Sequence, residues 1–267
     1  MDNNNVVQGN VLSVGGFSTV YHCTLNGKEA VCKTINKEKI HIFMNEVKIL
    51  EKMNHKYITK LLTVIYEKMS FVTEYKGDDL FTFITESNVA KSEKIKILEQ
   101  LLDSILYIHS NSICHMDLKL ENIVYDGNSI TIIDFGLSYM YADKNYRILT
   151  KRHGTKHYIA PEVYNGEIYN GFVSDMWSLG IIIFALFFNF FPYNTPCLND
   201  TAFSYLINKN VESVCEYYKV NINDVPQLIL SILNKILKKK EIRYNISQIK
   251  HFFRNSYIKK RHASIIV

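Results

Sequence analysis

Hydrophobic and polar positions alternate along the first part of the chain. From about Val11 to Thr34 the alternation has the period of two residues that β-strands show, with breaks at Gly15-Gly16 and at Asn26-Gly27. An Asn-Gly pair between two such runs favours a two-residue hairpin turn, because both turn residues must adopt positive φ. The chain is therefore predicted to open with an antiparallel β-meander.

The period changes to that of a helix between Lys39 and Met53. Apolar residues recur at helical spacing there, at Ile40, Phe43, Val47 and Leu50. Two further strand-like runs follow, at 61–66 and 70–75. Together these patterns predict a small lobe built on an antiparallel sheet, with one main helix.

Beyond Gly77 helical periods dominate, and they predict helices at 80–85, 92–110 and 174–188, with several more after Asp200. Asp126-Gly127 marks one small hairpin among them. The chain is thus predicted to form an α+β fold of two lobes in a single domain. The sheet lobe lies at about 9–76, a larger, mainly helical lobe at about 77–258 and a short basic tail at 259–267. A ligand such as a nucleotide commonly sits in the crevice between two such parts.

Composition narrows the class of protein. Hydrophobic residues make up 47% of the chain and charged residues 21%, which is typical of a folded globular protein and excludes a disordered one. The cysteines are scattered without a C-x-x-C pair, which predicts reduced thiols in an intracellular protein, either cytoplasmic or nuclear. Residues 1–5 show no secretory signal, and the longest apolar run, at 179–191, is shorter than a bilayer span and is predicted to be a buried helix.

The net charge of +5 is modest and is concentrated in two basic runs, at 238–240 and 259–261. Such runs are usually solvated surface, so neither nucleic acid nor a membrane is expected as a partner. We expect a monomer, and whether a regulatory partner is needed stays open.

A set of short motifs carries the candidate chemistry. The segment from His115 to Asn122, with the sequence HMDLKLEN, resembles the catalytic loop of eukaryotic-type serine/threonine protein kinases. Asp134-Phe135-Gly136 follows at the spacing that this family shows. Ala160-Pro161-Glu162, the segment DMWSLG at 175–180 and Arg243 also fall where the family places them. Within the family, the pattern is most similar to the calmodulin-dependent and checkpoint-kinase-like groups.

This resemblance covers nearly the whole chain and implies a bilobal protein kinase fold, which uses ATP and Mg²⁺ to phosphorylate serine or threonine hydroxyls of protein substrates. Phosphoryl transfer asks a protein mainly for positioning and for positive charge against the phosphates. The resemblance makes Asp117 the catalytic base, with Lys119 reaching the γ-phosphate and Asn122 completing the loop. Asn122 and Asp134 would supply oxygen ligands, which suit Mg²⁺.

The same resemblance assigns nucleotide binding largely to the sheet lobe. Lys33 would hold the α- and β-phosphates and pair with Glu46 on the first helix, and Thr73 would be the gatekeeper at the entrance to the hinge. The residues expected to enclose the adenine are Val20, Val31 and Ala30. The remaining candidate nucleotide-binding residues are Ser13, Val14, Gly15, Gly16, Phe17 and Ser18 in the glycine loop, Glu74 and Tyr75 in the hinge, and Asp79 beside it.

The sequence departs from the family pattern in the glycine loop and in the catalytic loop. Ser13 and Ser18 stand where the family has its first and third glycines, and Met116 stands where many members have an arginine that pairs with an activation-loop phosphate. Methionine cannot make that contact, so we do not expect activity to depend on such a phosphate in the usual way. Thr150 and Thr155 are candidate phosphorylation sites. Thr155 also matches a position that contacts the catalytic Asp and Lys in relatives.

Two supporting contacts follow from the resemblance. Glu162 is expected to form a buried ion pair with Arg243, and Asp175 is expected to hold the backbone of the catalytic loop. Neither residue would take part in the chemistry.

Several alternatives stay open at this point. A pseudokinase would share the fold and act as a scaffold or allosteric regulator without phosphoryl transfer, and a related fold acts on small molecules. Asp79 and Glu121 also have two interpretations. Either they meet a basic residue upstream of the acceptor hydroxyl, or Asp79 contacts the ribose and Glu121 lies on a solvated rim.

Overall fold

The fold is described from a computed structural model of the protein, for residues 5–141 and 154–263, without the side chains of 257–263. An antiparallel sheet of five strands forms the N-terminal lobe, in the spatial order β1-β2-β3-β5-β4. In chain order the strands are β1 (Val6–Val14), β2 (Ser18–Leu25), β3 (Lys28–Ile35), β4 (Leu61–Ile65) and β5 (Ser70–Glu74). Asn26 and Gly27 have φ values of 52° and 80°, so the predicted hairpin turn is confirmed.

Helix α1 (Ile40–Lys52) packs against this sheet. Phe43, Val47 and Leu50 are buried as the pattern predicted, but Ile40 is 58% exposed because it lies in the first turn. Glu46 is buried on the same helix, at 1% exposure. A buried carboxylate needs a partner, and Glu46 therefore points to a functional or structural ion pair.

The C-terminal lobe is mainly helical, and its helical periods are confirmed. The helices are α2 (Leu80–Glu86), α3 (Lys91–Ser110), α4 (Pro161–Tyr164), α5 (Gly171–Phe188), α6 (Thr201–Asn208), α7 (Val211–Tyr217), α8 (Gln227–Ile236) and α9 (Ile246–Ala263). Its short strands are β6 (Asp78–Asp79), β7 (Ile113–Cys114), β8 (Ile123–Tyr125), β9 (Ile130–Ile132) and β10 (Tyr139–Met140). Because α9 continues to Ala263, the segment predicted as a tail at 259–267 begins inside a helix.

Helix α5 is the central helix of the lobe. It is 18 residues long with a mean hydropathy of 1.9, so by length and composition alone it could cross a membrane. The apolar run at 179–191 is shorter than this helix because it omits the first two turns, which begin at Gly171. Of the 18 residues of α5, 78% are buried inside the lobe, as expected for a core helix. The predicted burial is confirmed, and burial rather than length supports it.

Candidate active site

The backbone of the segment from His115 to Asn122 is fixed by a buried carboxylate from α5. Asp175, 1% exposed, accepts hydrogen bonds from the backbone N–H of His115 at 2.7 Å and of Met116 at 2.9 Å. Its Oδ2 also lies 3.0 Å from Nε2 of His109. The predicted role of Asp175 as a support of this loop is therefore confirmed.

Four polar side chains meet at this loop. Lys119 Nζ lies 3.0 Å from Asp117 Oδ2 and 3.2 Å from Thr155 Oγ1, and the Thr155 hydroxyl is also 3.2 Å from Asp117 Oδ1. Asn122 donates from Nδ2 to the Asp117 carbonyl oxygen at 2.9 Å and to its carboxylate at 3.2 Å. The predicted contact of Thr155 with Asp117 and Lys119 is confirmed, whereas Thr150 lies outside the described residues.

Lys33 joins the two lobes through two carboxylates. Its Nζ donates to Glu46 at 2.8 and 2.9 Å and to Asp134 Oδ1 at 2.8 Å. Burial alone would lower the pKa of Lys33, but the two carboxylates hold it above its ordinary value. Burial would likewise raise the pKa of Asp134, yet the charge of Lys33 and its hydrogen bonds bring it down to about 2. The contacts among these three side chains therefore favour a protonated Lys33 and an ionised Asp134.

Helix α1 is held against the segment that follows Asp134. Glu46 accepts a hydrogen bond from the backbone N–H of Phe135 at 3.1 Å, and Asn45 donates to the carbonyl of Ser138 at 2.8 Å. Phe135 is fully buried, and its ring lies 4.9 Å from that of His115. The lysine–glutamate approach that an active conformation requires is thus present.

A cavity of about 290 Å³ opens between the lobes beside this ion pair. Most of the predicted nucleotide-binding and metal-binding residues line it: Ser13, Val20, Val31, Lys33, Glu46, Thr73, Glu74, Tyr75, Asp79, Asn122 and Asp134. Asp117 is not in this lining, but Asn122 connects it to the cavity. The structure therefore brings most of the predicted residues to one cleft.

Comparison with known proteins agrees with this geometry. Residues 6–253 match the family described as protein kinase domain. The chain belongs to the protein kinase family. It is 34% identical over 200 residues to CBL-interacting serine/threonine-protein kinase 13 of Arabidopsis thaliana, which covers 70% of this chain and 40% of that protein. It is 33% identical over 192 residues to the carbon catabolite-derepressing protein kinase of Candida glabrata, which covers 68% of this chain and 31% of that protein. The chain thus spans less than half the length of these relatives.

Two groups of residues expected at the kinase cleft do not line its cavity. Ala30 does not line it, because side chains alternate along β3: Val31 and Lys33 face the cavity, whereas Ala30 packs on the other side against Cys23 and Val72. The tip of the glycine loop is also absent from the lining, at Val14, Gly15, Gly16, Phe17 and Ser18. Gly15 donates to the Ser18 carbonyl at 2.8 Å and closes the loop as a tight turn above the cavity.

Several lining residues of the kinase cleft were not predicted from the sequence. They are Leu12, Leu50, Thr59, Phe71, Lys76, Gly77, Val124 and Ile133. Leu12 directly precedes the glycine loop in β1, whose residues do not alternate in burial, so the pattern gave no signal for it. Val124 and Ile133 come from the hairpin that follows the catalytic loop, and only the approach of the two lobes places them under the sheet.

The donor set of the cleft fits a hard divalent cation. Kinases of this family use ATP with a divalent metal. Asn122 donates from its amide nitrogen to Asp117. Asp134 accepts through Oδ1 from Lys33 Nζ and from the backbone N–H of Gly136. Within the described part of the chain no group donates to Asn122 Oδ1 or Asp134 Oδ2. Two such oxygens, with phosphate oxygens and water, match what Mg²⁺ prefers.

The predicted ion pair between Glu162 and Arg243 is confirmed. Arg243 donates from Nη1 at 2.6 Å and from Nη2 at 3.0 Å to the two carboxylate oxygens of Glu162. The side chains are 0% and 4% exposed, and the guanidinium lies 4.9 Å from the ring of Trp177. The pair fastens α4, at the end of the activation segment, to the core of the lobe.

Proposed function

We propose that the chain is a protein serine/threonine kinase that transfers the γ-phosphate of ATP to hydroxyl groups of protein substrates. The observation that carries the proposal is the Lys33–Glu46–Asp134 arrangement, formed in the same structure as the Asp117–Lys119 group. A scaffold that only needs the fold has no use for both. Relatives named as serine/threonine kinases support the same conclusion.

In this proposal each residue acts on a defined part of the reaction. Asp117 orients the acceptor hydroxyl and accepts its proton as the new O–P bond forms and the bond from the γ-phosphorus to the β–γ bridging oxygen breaks. Lys119 neutralises charge on the transferred group, and the Thr155 hydroxyl holds Asp117 and Lys119 in register. Lys33 holds the phosphates that leave as ADP.

Mg²⁺ is the proposed metal, held by Asn122 and Asp134. When bound, it would offset the negative charge that develops on the phosphates during transfer. The low pKa of Asp134 supports this, because a carboxylate must be ionised to bind a metal.

The proposed partners are proteins that carry serine or threonine acceptors, with a basic residue upstream. Glu121 and Asp79 lie in the cleft lining and give this end of the site two carboxylates. We further propose a monomer, and the free thiols of all five cysteines support a location inside the cell, cytoplasmic or nuclear. A regulatory partner is part of the proposal because the relatives include kinases named for an interaction partner.

The test is transfer of ³²P from Mg-ATP to a degenerate serine/threonine peptide library. Wild type is compared with Asp117→Asn and Lys33→Met, and with two surface controls, Asp224→Asn and Lys28→Met. Transfer by wild type and both controls, but by neither site variant, supports the proposal. Nucleotide binding by thermal shift without any transfer would instead favour the pseudokinase.

A further inference from the structure

Much of helix α1 is uncovered or weakly anchored. Its N-cap residue, Lys39, makes no side-chain hydrogen bond to the first turn. Ile40 and Met44 on its outer side are 58% and 48% exposed, so solvent covers that side of the helix. Lys52, in the last turn, reaches the carbonyl of Asn111 only at 3.4 Å. The position of α1 therefore depends strongly on any shorter polar contact between this helix and the larger lobe.

Two adjacent residues of α1 make such contacts. Asn45 Nδ2 donates to the carbonyl of Ser138 at 2.8 Å, and Glu46 Oε1 accepts from the backbone N–H of Phe135 at 3.1 Å. Glu46 also pairs with Lys33, so its carboxylate already has a role in the cleft. Asn45 is not among the residues that line the cavity. Its contact is therefore available to fix the helix rather than to bind a ligand.

Ser138 is anchored in turn to the catalytic loop. It is buried, and its hydroxyl donates to the carbonyl of His115 at 3.0 Å. His115 is itself fully buried, and its backbone N–H donates to Asp175 at 2.7 Å. The backbone N–H of Ser138 donates to the Phe135 carbonyl at 3.0 Å and closes the turn that follows Asp134. The acceptor of the Asn45 bond is thus held against both the catalytic loop and this turn.

We propose that Asn45 is a positioning residue that holds α1 at the angle where Glu46 reaches Lys33, with Ser138 as its anchor on the larger lobe. The inference rests on the proposed function and deepens it, because it adds a residue that supports the reaction without touching the reacting groups. Consecutive residues of a helix point in directions about 100° apart around its axis. Bonds at Asn45 and at Glu46 together therefore resist rotation of α1, which a bond at Glu46 alone would resist less.

Loss of the Asn45 bond should act on the phosphates rather than on the peptide. Lys33 donates to three acceptor atoms, of which two belong to Glu46 and one to Asp134. If α1 turns outward, the ammonium loses the two on Glu46 and no longer holds the phosphates in one place. Transfer then slows, because the reacting atoms must be aligned. Asp117, which orients the acceptor hydroxyl in the proposed reaction, belongs to the larger lobe, so peptide binding should not change.

The experiment measures ³²P transfer from Mg-ATP to a serine peptide by wild type, Asn45→Leu, Ser138→Ala and the double variant. Leucine has nearly the size of asparagine but cannot donate a hydrogen bond. For Asn45→Leu we expect kcat to fall roughly three- to tenfold, the effect of one hydrogen bond, with KM for the peptide unchanged. The double variant should match the more impaired single variant, because both changes break the same connection. The proposal is overturned if kcat of Asn45→Leu stays within about twofold of wild type, or if the two falls multiply in the double variant.

A Glu46→Gln background separates positioning from a general loss of stability. Glutamine cannot form the ion pair with Lys33, so the angle of α1 no longer decides where the ammonium lies. Adding Asn45→Leu in this background should therefore lower kcat by less than about twofold. A further fall as large as that seen with Glu46 intact would mean that Asn45 acts by another route, and would overturn the proposal.

Two matched controls lie away from the cleft. Asn234→Leu removes an asparagine of α8 that accepts from the backbone N–H of Val211 at 2.9 Å and donates to Glu212 at 2.8 Å. Ser104→Ala removes a buried hydroxyl of α3. Both should lower the midpoint of urea unfolding and leave kcat of the folded protein unchanged. A loss of kcat in these controls equal to that in the Asn45 and Ser138 variants would overturn the proposal.

The two levels of the proposal fail in different ways. If Asn45→Leu does not fold, Asn45→Ala, which adds no bulk, decides by the same criteria. Transfer that wild type performs and the Asn45 variants retain in full overturns this inference alone. No transfer by wild type overturns the proposed function as well.

Discussion

Removing Arg243 should cost more stability than any surface ion pair of this protein. The guanidinium makes two bonds to Glu162, a third to the Val173 carbonyl at 2.8 Å and a fourth from Nε to the Lys238 carbonyl at 3.0 Å. In Arg243→Met, Glu162 would stay buried without its counter-charge. Breaking a buried pair in this way costs about 3 to 5 kcal/mol. That is a large fraction of the roughly 5 to 15 kcal/mol by which domains are stable.

Urea unfolding followed by tryptophan fluorescence measures this effect directly. The chain has one tryptophan, Trp177, and the Arg243 guanidinium packs on its ring. The fluorescence therefore reports on the lobe that contains the pair. For a protein of this size the expected loss moves the midpoint down by about 1 to 2 M urea with little change in slope.

Two further variants show whether the stranded charge is the cause. Arg243→Met combined with Glu162→Met should be more stable than Arg243→Met alone, because no unpaired carboxylate remains. Lys240→Met is the surface control, since its pair with Glu167 is 33% and 44% exposed and should contribute less than about 1 kcal/mol. The reasoning is refuted if Arg243→Met costs no more than this control, or if the double variant is the least stable of the set.

Four other outcomes are expected. Gly180→Ala should destabilise the fold by about 1 to 3 kcal/mol in the same assay despite better helix propensity, because the added Cβ would lie 2.6 Å from a packed leucine. Maleimide labelling of the native protein, read by mass spectrometry, should modify Cys197 first, since the other cysteines are buried; earlier labelling elsewhere would contradict this packing. Mg-nucleotide binding should stay constant from about pH 7 to pH 5 because Lys33 keeps Asp134 ionised, but should weaken toward acid pH in Lys33→Met, where the pKa of Asp134 rises. Phosphatase treatment should leave transferase activity unchanged because Met116 offers no charge to a phosphate, and a marked loss would contradict that.

Local patterns predicted the elements well and their ends less well. The alternation and helical periods located all five strands of the sheet and the main helices. Helix α5 nevertheless begins at Gly171, three residues before the prediction, because Asn170 caps it by accepting from the backbone N–H of Phe172 at 2.9 Å. An asparagine before an apolar run is a known start signal, so this boundary was accessible from the sequence.

Contacts between distant residues were predictable only through the family resemblance. No periodicity relates Glu162 to Arg243, which are 81 positions apart, or Lys33 to Asp134, which are 101 apart. The bond from Tyr158 to Glu121 was missed because it depends on how the segment after 154 settles on the catalytic loop. Neither the tyrosine nor the glutamate belongs to a sequence pattern that links it to the other, so only the folded structure shows the pair.

The sequence departure at Met116 has a structural counterpart in how the start of the activation segment is held. Met116 is 8% exposed and adopts a φ of 70°, and its sulfur would lie 3.0 Å from a Cβ added to Gly171, so it fills the space beside α5. A buried arginine there would need an anion to offset its charge, whereas methionine needs none. The neighbouring chain is fixed by pairing of β10 with β7 and by the backbone N–H of Tyr141 donating to the Ser112 carbonyl at 2.9 Å. Because none of these contacts uses a phosphate, we expect the geometry around Asp117 and Lys33 to form in the unmodified chain. On this reasoning we predict that a regulator acts on access to the cleft or on the position of α1 rather than on charge at this loop.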